Sequence, residues 1–291
     1  MLNRAEFIAW SIESLKQQFA SDIEHIIVDG GSTDGTLPRL AEFPHTRVIN
    51  GPDEGLYDAI NKGIARAQGS IIGLLNSDDA YLPGAISSLR QALEASPSAE
   101  MVVARASTAD LDPDSTPDII VNDEATKQLV PSCVLTGVPI INARFFHRRL
   151  LERVGAFDRR FPVAADRDFL IRCIAAKARI ASVSECIYRY TMHPGSLTVF
   201  PHSRFAQNRH NLDAARARLA EGKASELGSL FAGWHAWTTG YQVGLLAQEG
   251  AVLSSLSAVA RGLTEAPMWP LRFAPLLLSH WLRARRRERR E

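Results

Sequence analysis

Two apolar runs constrain the fold of this chain most, because each stops abruptly on acidic residues. His25-Ile-Ile-Val28 ends at Asp29, and Ser70-Ile-Ile-Gly-Leu-Leu75 ends at Asn76-Ser-Asp-Asp79. Short continuous apolar runs are the pattern of strands covered on both faces. Between them, Leu56, Ala59, Ile60, Gly63, Ile64 and Ala67 recur every three to four residues, the period of a helix. Strands alternating with helices predict an α/β fold built on a mostly parallel sheet with helices on both faces. Ligands of such sheets lie beyond the carboxyl ends of the strands, where Asp29, Asp78 and Asp79 fall. With 291 residues, 46% of them apolar, the chain has material for a sizeable core.

The remaining pattern fills in this frame. Asn3 and Glu6 have the spacing of a capping box, ahead of a helical face formed by Phe7, Ile8, Ile12, Leu15 and Phe19. Gly30 to Gly35 reads as a turn, with Ser32 and Asp34 capping a short helix that runs to about Phe43. Arg47-Val-Ile49 is a second strand, Gly69 ends the helix that follows, and Pro83 opens another. Met101-Val-Val-Ala104 is a strand. Residues 105–130 are polar and proline-spotted and read as an irregular excursion. Ile187-Tyr-Arg-Tyr190 is a late strand running into the turn at His193-Pro-Gly-Ser196. Beyond Pro201 the pattern is helical throughout.

Charge and cysteine narrow the classes. Lys plus Arg number 33 and Asp plus Glu 32, a net +1 that argues against a dedicated nucleic-acid binder. Residues 283–291 carry six arginines and two glutamates, so the other 282 residues sum to −3. Cys133, Cys173 and Cys186 make no CxxC and read as free thiols of a reducing compartment. The adjacent carboxylates Asp78 and Asp79 suit a hard divalent cation shared with phosphate oxygens. A helix cap before Pro83 is the plainer reading, but a cap needs only one of them. Gly30-Gly31 lets the backbone turn tightly or approach a ligand, and its spacing is neither that of a Walker loop nor that of a dinucleotide loop.

The order of these segments is specific. Val28-Asp-Gly-Gly-Ser-Thr-Asp-Gly-Thr36 is followed by Asp53-Glu-Gly-Leu-Tyr-Asp-Ala-Ile-Asn-Lys-Gly63 and by Gly69 to Asp79. Val154-Gly-Ala-Phe-Asp158, Ala165-Asp-Arg-Asp-Phe169 and His193-Pro-Gly-Ser196 come later. Over about residues 3–200 the series resembles the family 2 glycosyltransferases of the GT-A fold (Rossmann-like), in their bacterial surface-polysaccharide branch. The resemblance implies a metal-dependent, inverting transfer of sugar from a nucleotide-diphosphate donor to a lipid-linked or growing glycan. It implies Asp29, Ser32, Asn61, Lys62, Asp78 and His193 as nucleotide-sugar contacts. It further implies Asp79 with Asp78 as ligands of Mn2+ or Mg2+, and Asp166 as the catalytic base. A helix N-cap is the plain alternative for Asp166, and a turn histidine for His193.

Three departures stand out. Gly30 replaces the second aspartate usual after strand two, Asn76 opens the metal motif in place of aspartate, and the central first strand is missing before Asn3. The last departure predicts a natural product with roughly ten further residues before Met1, since each unpaired buried backbone group costs about 1–3 kcal/mol. Residues 1–200 are expected to form the transferase domain, with a nucleotide-sugar half to about 105 and an acceptor half over about 130–200. Residues 201–291 are expected to be a helical extension. In its tail, Phe273, Leu276, Leu277 and Trp281 share one face of a helix that Pro275 starts, next to the arginine run. That pattern suits an amphipathic helix on the inner face of the cell membrane, with the rest of the protein cytoplasmic. Two competing readings are a degenerate, non-catalytic membrane-associated partner of a transferase and a sugar-phosphate nucleotidyltransferase. The latter class would want a glycine-rich basic loop after its first strand.

Overall fold

The computed structural model describes residues 1–18, 20–110, 119–121, 129–137, 140–193, 201–221 and 226–288. By internal contact the chain divides into two units. One comprises Met1–Gln128, Ile140–Pro162 and Lys177–Pro194; the other comprises Leu129–Pro139, Val163–Ala176 and Gly195–Glu291.

The first unit is α/β. Its elements in order are α1 (Ile8–Lys16), β1 (His25–Asp29), α2 (Thr36–Ala41), β2 (Thr46–Asn50), α3 (Leu56–Arg66), β3 (Ile71–Gly73), β4 (Ala80–Tyr81), α4 (Ala85–Ala95), β5 (Met101–Asp110) and β6 (Ile119–Val121). After α5 (Pro131–Thr136), which belongs to the second unit, come β7 (Arg144–His147) and α6 (Arg148–Val154). α7 (Ala165–Ala175) is again in the second unit, and β8 (Ile180–Met192) returns to the first.

A mostly parallel sheet was expected, and the described ladders are mixed. β1–β2 and β5–β8 run parallel, while β3–β7, β4–β8, β5–β6 and β5–β7 run antiparallel. The larger sheet has the order β3-β7-β5-β8-β4 with β6 on β5. β7, which enters antiparallel between β3 and β5, accounts for two of the four antiparallel ladders, and the short strands β4 and β6 add the others. β1 and β2 form a separate pair, and no ladder joins β1 to β3 among the described residues. On the free edge of β1, the Met1 ammonium donates to Val28 O at 2.7 Å, and Met1 O accepts from Gly30 N at 2.7 Å. These are the two bonds one residue of a parallel strand would make. Ile8, Ile12, Ile27, Leu40 and Phe43 form one apolar core; Tyr81, Val102, Phe145, Ile187 and Tyr188 belong to another.

Several local expectations change. Asn3 does not cap α1, whose N-cap is Phe7 without a side-chain bond. Asn3 instead has φ 54°, and its side-chain oxygen accepts from Thr33 N. Residues 105–110 are not an excursion, because Ala106, Ser107 and Thr108 continue β5 as small residues paired with β8. α3 closes at Ala67, before Gly69, and α4 starts after Gly84.

The described elements of the second unit are all helical: α5, α7, α8 (Pro201–Ala220), α9 (Glu226–Gln248), α10 (Val252–Glu265) and α11 (Trp269–Glu288). Phe169, Leu170, Leu212, Phe231 and Trp234 are buried there. The fully buried Asp168 of α7 accepts from Arg172 Nε at 2.9 Å and from Arg218 Nε at 2.7 Å. Arg167 donates to the carbonyls of Val134, Leu135 and Gly137, satisfying the C-terminal end of α5. Pro275 does not start the tail helix but lies within α11. The ring of Phe273 fills the space over Gly240 of α9, so it faces inward, 5.7 Å from Trp237. Among the described residues, Leu271, Leu277, Leu278 and Trp281 are the exposed large apolar side chains of α11. No described helix is long and apolar enough to cross a membrane. The three cysteines are free, as expected.

Candidate functional site

The loop after β3 is built by long-range contacts to β8. Antiparallel pairing sets Ala80 opposite Arg189 and Tyr81 opposite Tyr188, which brings residues 76–79 beside the end of β8. The Asp79 carboxylate, 1% exposed, accepts from Tyr188 Oη at 2.6 Å, Asn76 Nδ2 at 2.9 Å and Thr191 N at 2.8 Å. Burial, with the neighbouring charge of Asp78, pushes its carboxyl up to about 7. Burial and Asp79 together push the Tyr188 phenol well above its usual range. Asp78 is the more open carboxylate and lies 3.0 Å from His193 Nε2. The ring of Phe7 stacks on His193 at 4.8 Å, fixing the plane of the imidazole.

The turn after β1 forms a second cluster. Asp29, fully buried, accepts from Gly31 N, Ser32 N and Ser32 Oγ at 3.0, 2.8 and 2.6 Å. Its carboxylate therefore shapes the turn. The stretch leading into α1 straps that turn down: Asn3 N donates to Ser32 Oγ, Arg4 N to Thr36 Oγ1 and Ala5 N to Asp34 Oδ2. Hydrogen bonding, first from Thr36, holds the Asp34 carboxyl below its ordinary range. The same segment reaches the other cluster through Phe7 on His193 and through Ser11 Oγ, which donates to Asn76 O at 2.8 Å. Residues 3–11 thus join the turn after β1 to the carboxylate loop after β3.

Gly30 has a specific cause. A Cβ there would lie 2.5 Å from Asp53 Oδ2, and Asp53 is anchored through Oδ1 by Gly55 N at 2.9 Å. A carboxylate from the loop before α3 therefore occupies the space beside Gly30.

Asn61 and Lys62 are employed within the fold. Asn61 clamps the backbone of Phe157, donating to its carbonyl at 2.7 Å and accepting from its N–H at 3.1 Å. Lys62 donates to Pro52 O and pairs with Asp58 at 2.7 Å. Hydrogen bonds from Lys62, the Glu54 amide and Arg159 draw the Asp58 carboxyl down to about 2. These contacts, with Tyr57 stacked on Phe157, fasten residues 157–159 to α3. Asp166 lies in the first turn of α7 in the second unit, half-buried, its carboxylate accepting from Arg167 N. It does not serve as the N-cap, which is Ala164.

Asp29 and Ser32 therefore meet in one cluster, and Asp78, Asp79 and His193 in the other. Sequence reasoning missed Tyr188, Thr191 and Phe7. Tyr188 carried a usable signal, since a tyrosine in a buried strand needs a partner for its hydroxyl.

No group of three or more His, Cys, Asp or Glu side chains positioned for a cation occurs among the described residues. Magnesium-type sites on nucleotides use one or two carboxylates plus phosphate oxygens. The open Asp78 fits that smaller donor set, with His193 beside it. Asp79 fits less well as a direct ligand, because both its oxygens already accept hydrogen bonds.

Comparison with known proteins places the chain. Residues 1–155 match the model of glycosyl transferase family 2, and the chain belongs to that family. An uncharacterized glycosyltransferase of Mycobacterium tuberculosis is 32% identical over 163 residues, 54% of this chain and 59% of its own length. The chain thus spans under two thirds of that relative. The uncharacterized glycosyltransferase EpsJ of Bacillus subtilis is 28% identical over 76% of this chain and 67% of its own. Among solved structures, S. aureus TarS 1–349 in complex with UDP-GlcNAc superposes with a TM-score of 0.65 at 16% identity, over 97% of this chain and 85% of that one. The mannosyltransferase PcManGT of Pyrobaculum calidifontis, in complex with GDP-Man and Mn2+, gives 0.59 at 17% identity over the same shares. The fold is GT-A with a C-terminal helical region.

Proposed function

We propose that this protein is a metal-dependent, inverting glycosyltransferase that moves a sugar from a nucleotide-diphosphate donor to a lipid-linked or growing glycan in polysaccharide biosynthesis. The observation that carries the reading is the joining of the Asp29–Ser32 turn and the Asp78–Asp79–His193 cluster by one segment, residues 3–11. The UDP-GlcNAc complex of TarS and the GDP-Man and Mn2+ complex of PcManGT support a donor of this class. A PGL/p-HBAD biosynthesis glycosyltransferase of Mycobacterium bovis, 27% identical over 62% of this chain and 69% of its own length, supports a biosynthetic glycosyl transfer. We assign glycosyl transfer to residues 1–200 and membrane contact to the extension beyond.

Mn2+ or Mg2+ would be held by Asp78 and Asp79, and when bound it would act as a Lewis acid on the leaving diphosphate. The chain's own groups do the rest. Asp29 and Ser32 shape the turn that receives the nucleotide, with Asn61 and Lys62 bracing the helix behind it. His193, held by Asp78 and Phe7, offers a ring nitrogen to the diphosphate. Asp166 takes the acceptor hydroxyl proton, and the N-terminal end of α7 favours its ionised form.

The test is incubation with a panel of UDP- and GDP-sugars and Mn2+. Free nucleoside diphosphate is expected; pyrophosphate would instead identify a nucleotidyltransferase. Asp166→Asn should keep donor binding and lower transfer about 100-fold, and Asp79→Ala should lose metal-dependent donor binding. Absence of any nucleotide product would favour the non-catalytic partner, a reading supported by the full hydrogen-bond occupancy of Asp29 and Asp79.

A further inference from the structure

A groove of about 540 Å³ lies within the helical unit, walled by α8, α9 and α10. α8 supplies Arg209 and Arg216, two turns apart on one face; α9 supplies Thr239 and Leu246; α10 supplies Leu253 and Arg261, again on one face. The cations differ in employment. Arg216 is held by Glu265 at 2.7 Å and Asp213 at 3.4 Å. Arg209 and Arg261 form no ion pair among the described residues, and both are exposed. Thr239, 2% exposed, is among the lining residues, and its buried hydroxyl has no hydrogen-bond partner among the described residues.

The apolar surface is as unusual as the charge. Leu253 at the groove is 83% exposed, and Val252 and Leu256 on the same helix are 64% and 60% exposed. All the exposed large apolar residues of the described chain except Leu2, Val48 and Leu56 lie between Tyr241 and Trp281. A free inorganic anion would use the arginines and leave the leucines wet. A neutral lipid would cover the leucines and leave two guanidiniums idle. A phosphate attached to a hydrocarbon chain uses both.

We propose that this groove binds the phosphate headgroup of a lipid, with Arg209 and Arg261 on the phosphate oxygens and the chain lying over Leu246 and Leu253. Guanidinium forks match phosphate oxygens two at a time. The volume is that of an ordinary ligand site. The proposal deepens the transferase reading, because a lipid phosphate held here would be the carrier of the acceptor glycan; the binding itself is measured without any transfer.

The experiment uses the full chain and isothermal titration with three probes: farnesyl phosphate below its micelle concentration, farnesol and inorganic phosphate. Farnesyl phosphate should bind at least about tenfold more tightly than either of the others. Arg209→Ala with Arg261→Ala should lower that affinity about tenfold or more while leaving the thermal melt unchanged, as expected for two exposed side chains. Leu253→Ser should weaken farnesyl phosphate and leave inorganic phosphate as it was. Equal binding of farnesyl phosphate and inorganic phosphate would reduce the groove to a bare anion site and overturn the proposal. So would equal binding of farnesol, or wild-type affinity in the double variant. Donor hydrolysis is assayed on the same preparations: its absence in the wild type counts against the transferase reading and leaves the groove result standing.

Discussion

The carboxylate loop of the α/β unit and the outer helices of the helical unit treat their polar and apolar groups in opposite ways. Around Asp79 and Asp29 every carboxylate oxygen meets a donor, and the apolar residues are inside. On α10 and α11 leucines face water, and Arg209 of α8 and Arg261 of α10 stand without ion pairs among the described residues. The first arrangement fixes groups in position before any ligand arrives, so that little ordering remains to be done at binding. The second leaves apolar side chains and unpaired guanidiniums open to solvent, the kind of surface on which the proposed lipid phosphate would settle.

The sharpest way to break the comparison is to remove a donor from a buried carboxylate in the helical unit, where such full pairing is the exception. Arg218→Met leaves the fully buried Asp168 with Arg172 alone and should destabilise the protein by about 3 kcal/mol, read as a shift in the urea midpoint. Tyr188→Phe should come next: one buried acceptor site of Asp79 goes unsatisfied, at about 1–3 kcal/mol. If the loop tolerates that loss without a change in melting, its pairing is not what holds it.

Gly30→Ala should cost about 1–2 kcal/mol through overpacking against Asp53. Adding Asp53→Ala should recover most of it, and a double-mutant cycle measures the coupling. The smallest effect is in pH. Burial, with His45 nearby, lowers the His25 pKa from 6.5 to about 4. The unfolded chain therefore binds the extra proton across that window, and stability falls as pH drops from 6.5 toward 4. Between pH 6.5 and 5.5 the loss should be about 1 kcal/mol, and His25→Asn should flatten it.

What could be read from the sequence was local. The apolar runs before Asp29 and Asn76 and the period of α3 depend on neighbours in the chain, and β1, β2 and α3 lie close to where those patterns put them. What could not be read was set by pairing across the chain. Tyr188 and Thr191 meet Asp79 from 109 and 112 residues away. β5 runs through alanine, serine and threonine to Asp110 because β8 is there to receive it. Asn61 lies in a legible motif, yet its bond to Phe157 spans 96 residues, and no helical period announces it. Pro275 reads as a helix start, but the helix around it begins at Trp269, whose ring packs near Phe273 at 6.0 Å.

The segment that holds both clusters has a consequence for how they respond to ligands. Residues 3–5 grip the 32–36 turn, and Phe7 and Ser11 grip the 76–79 loop and His193, all within three turns of chain. Any displacement of α1 along its axis disturbs both at once. A molecule that orders one end therefore lowers the entropic cost of ordering the other, which is positive cooperativity without a change of shape. On the proposed assignment of nucleoside to the turn and cation to the loop, each should raise the affinity for the other by the same factor. Phe7→Ala, by loosening the rod at one end, should bring that factor toward one.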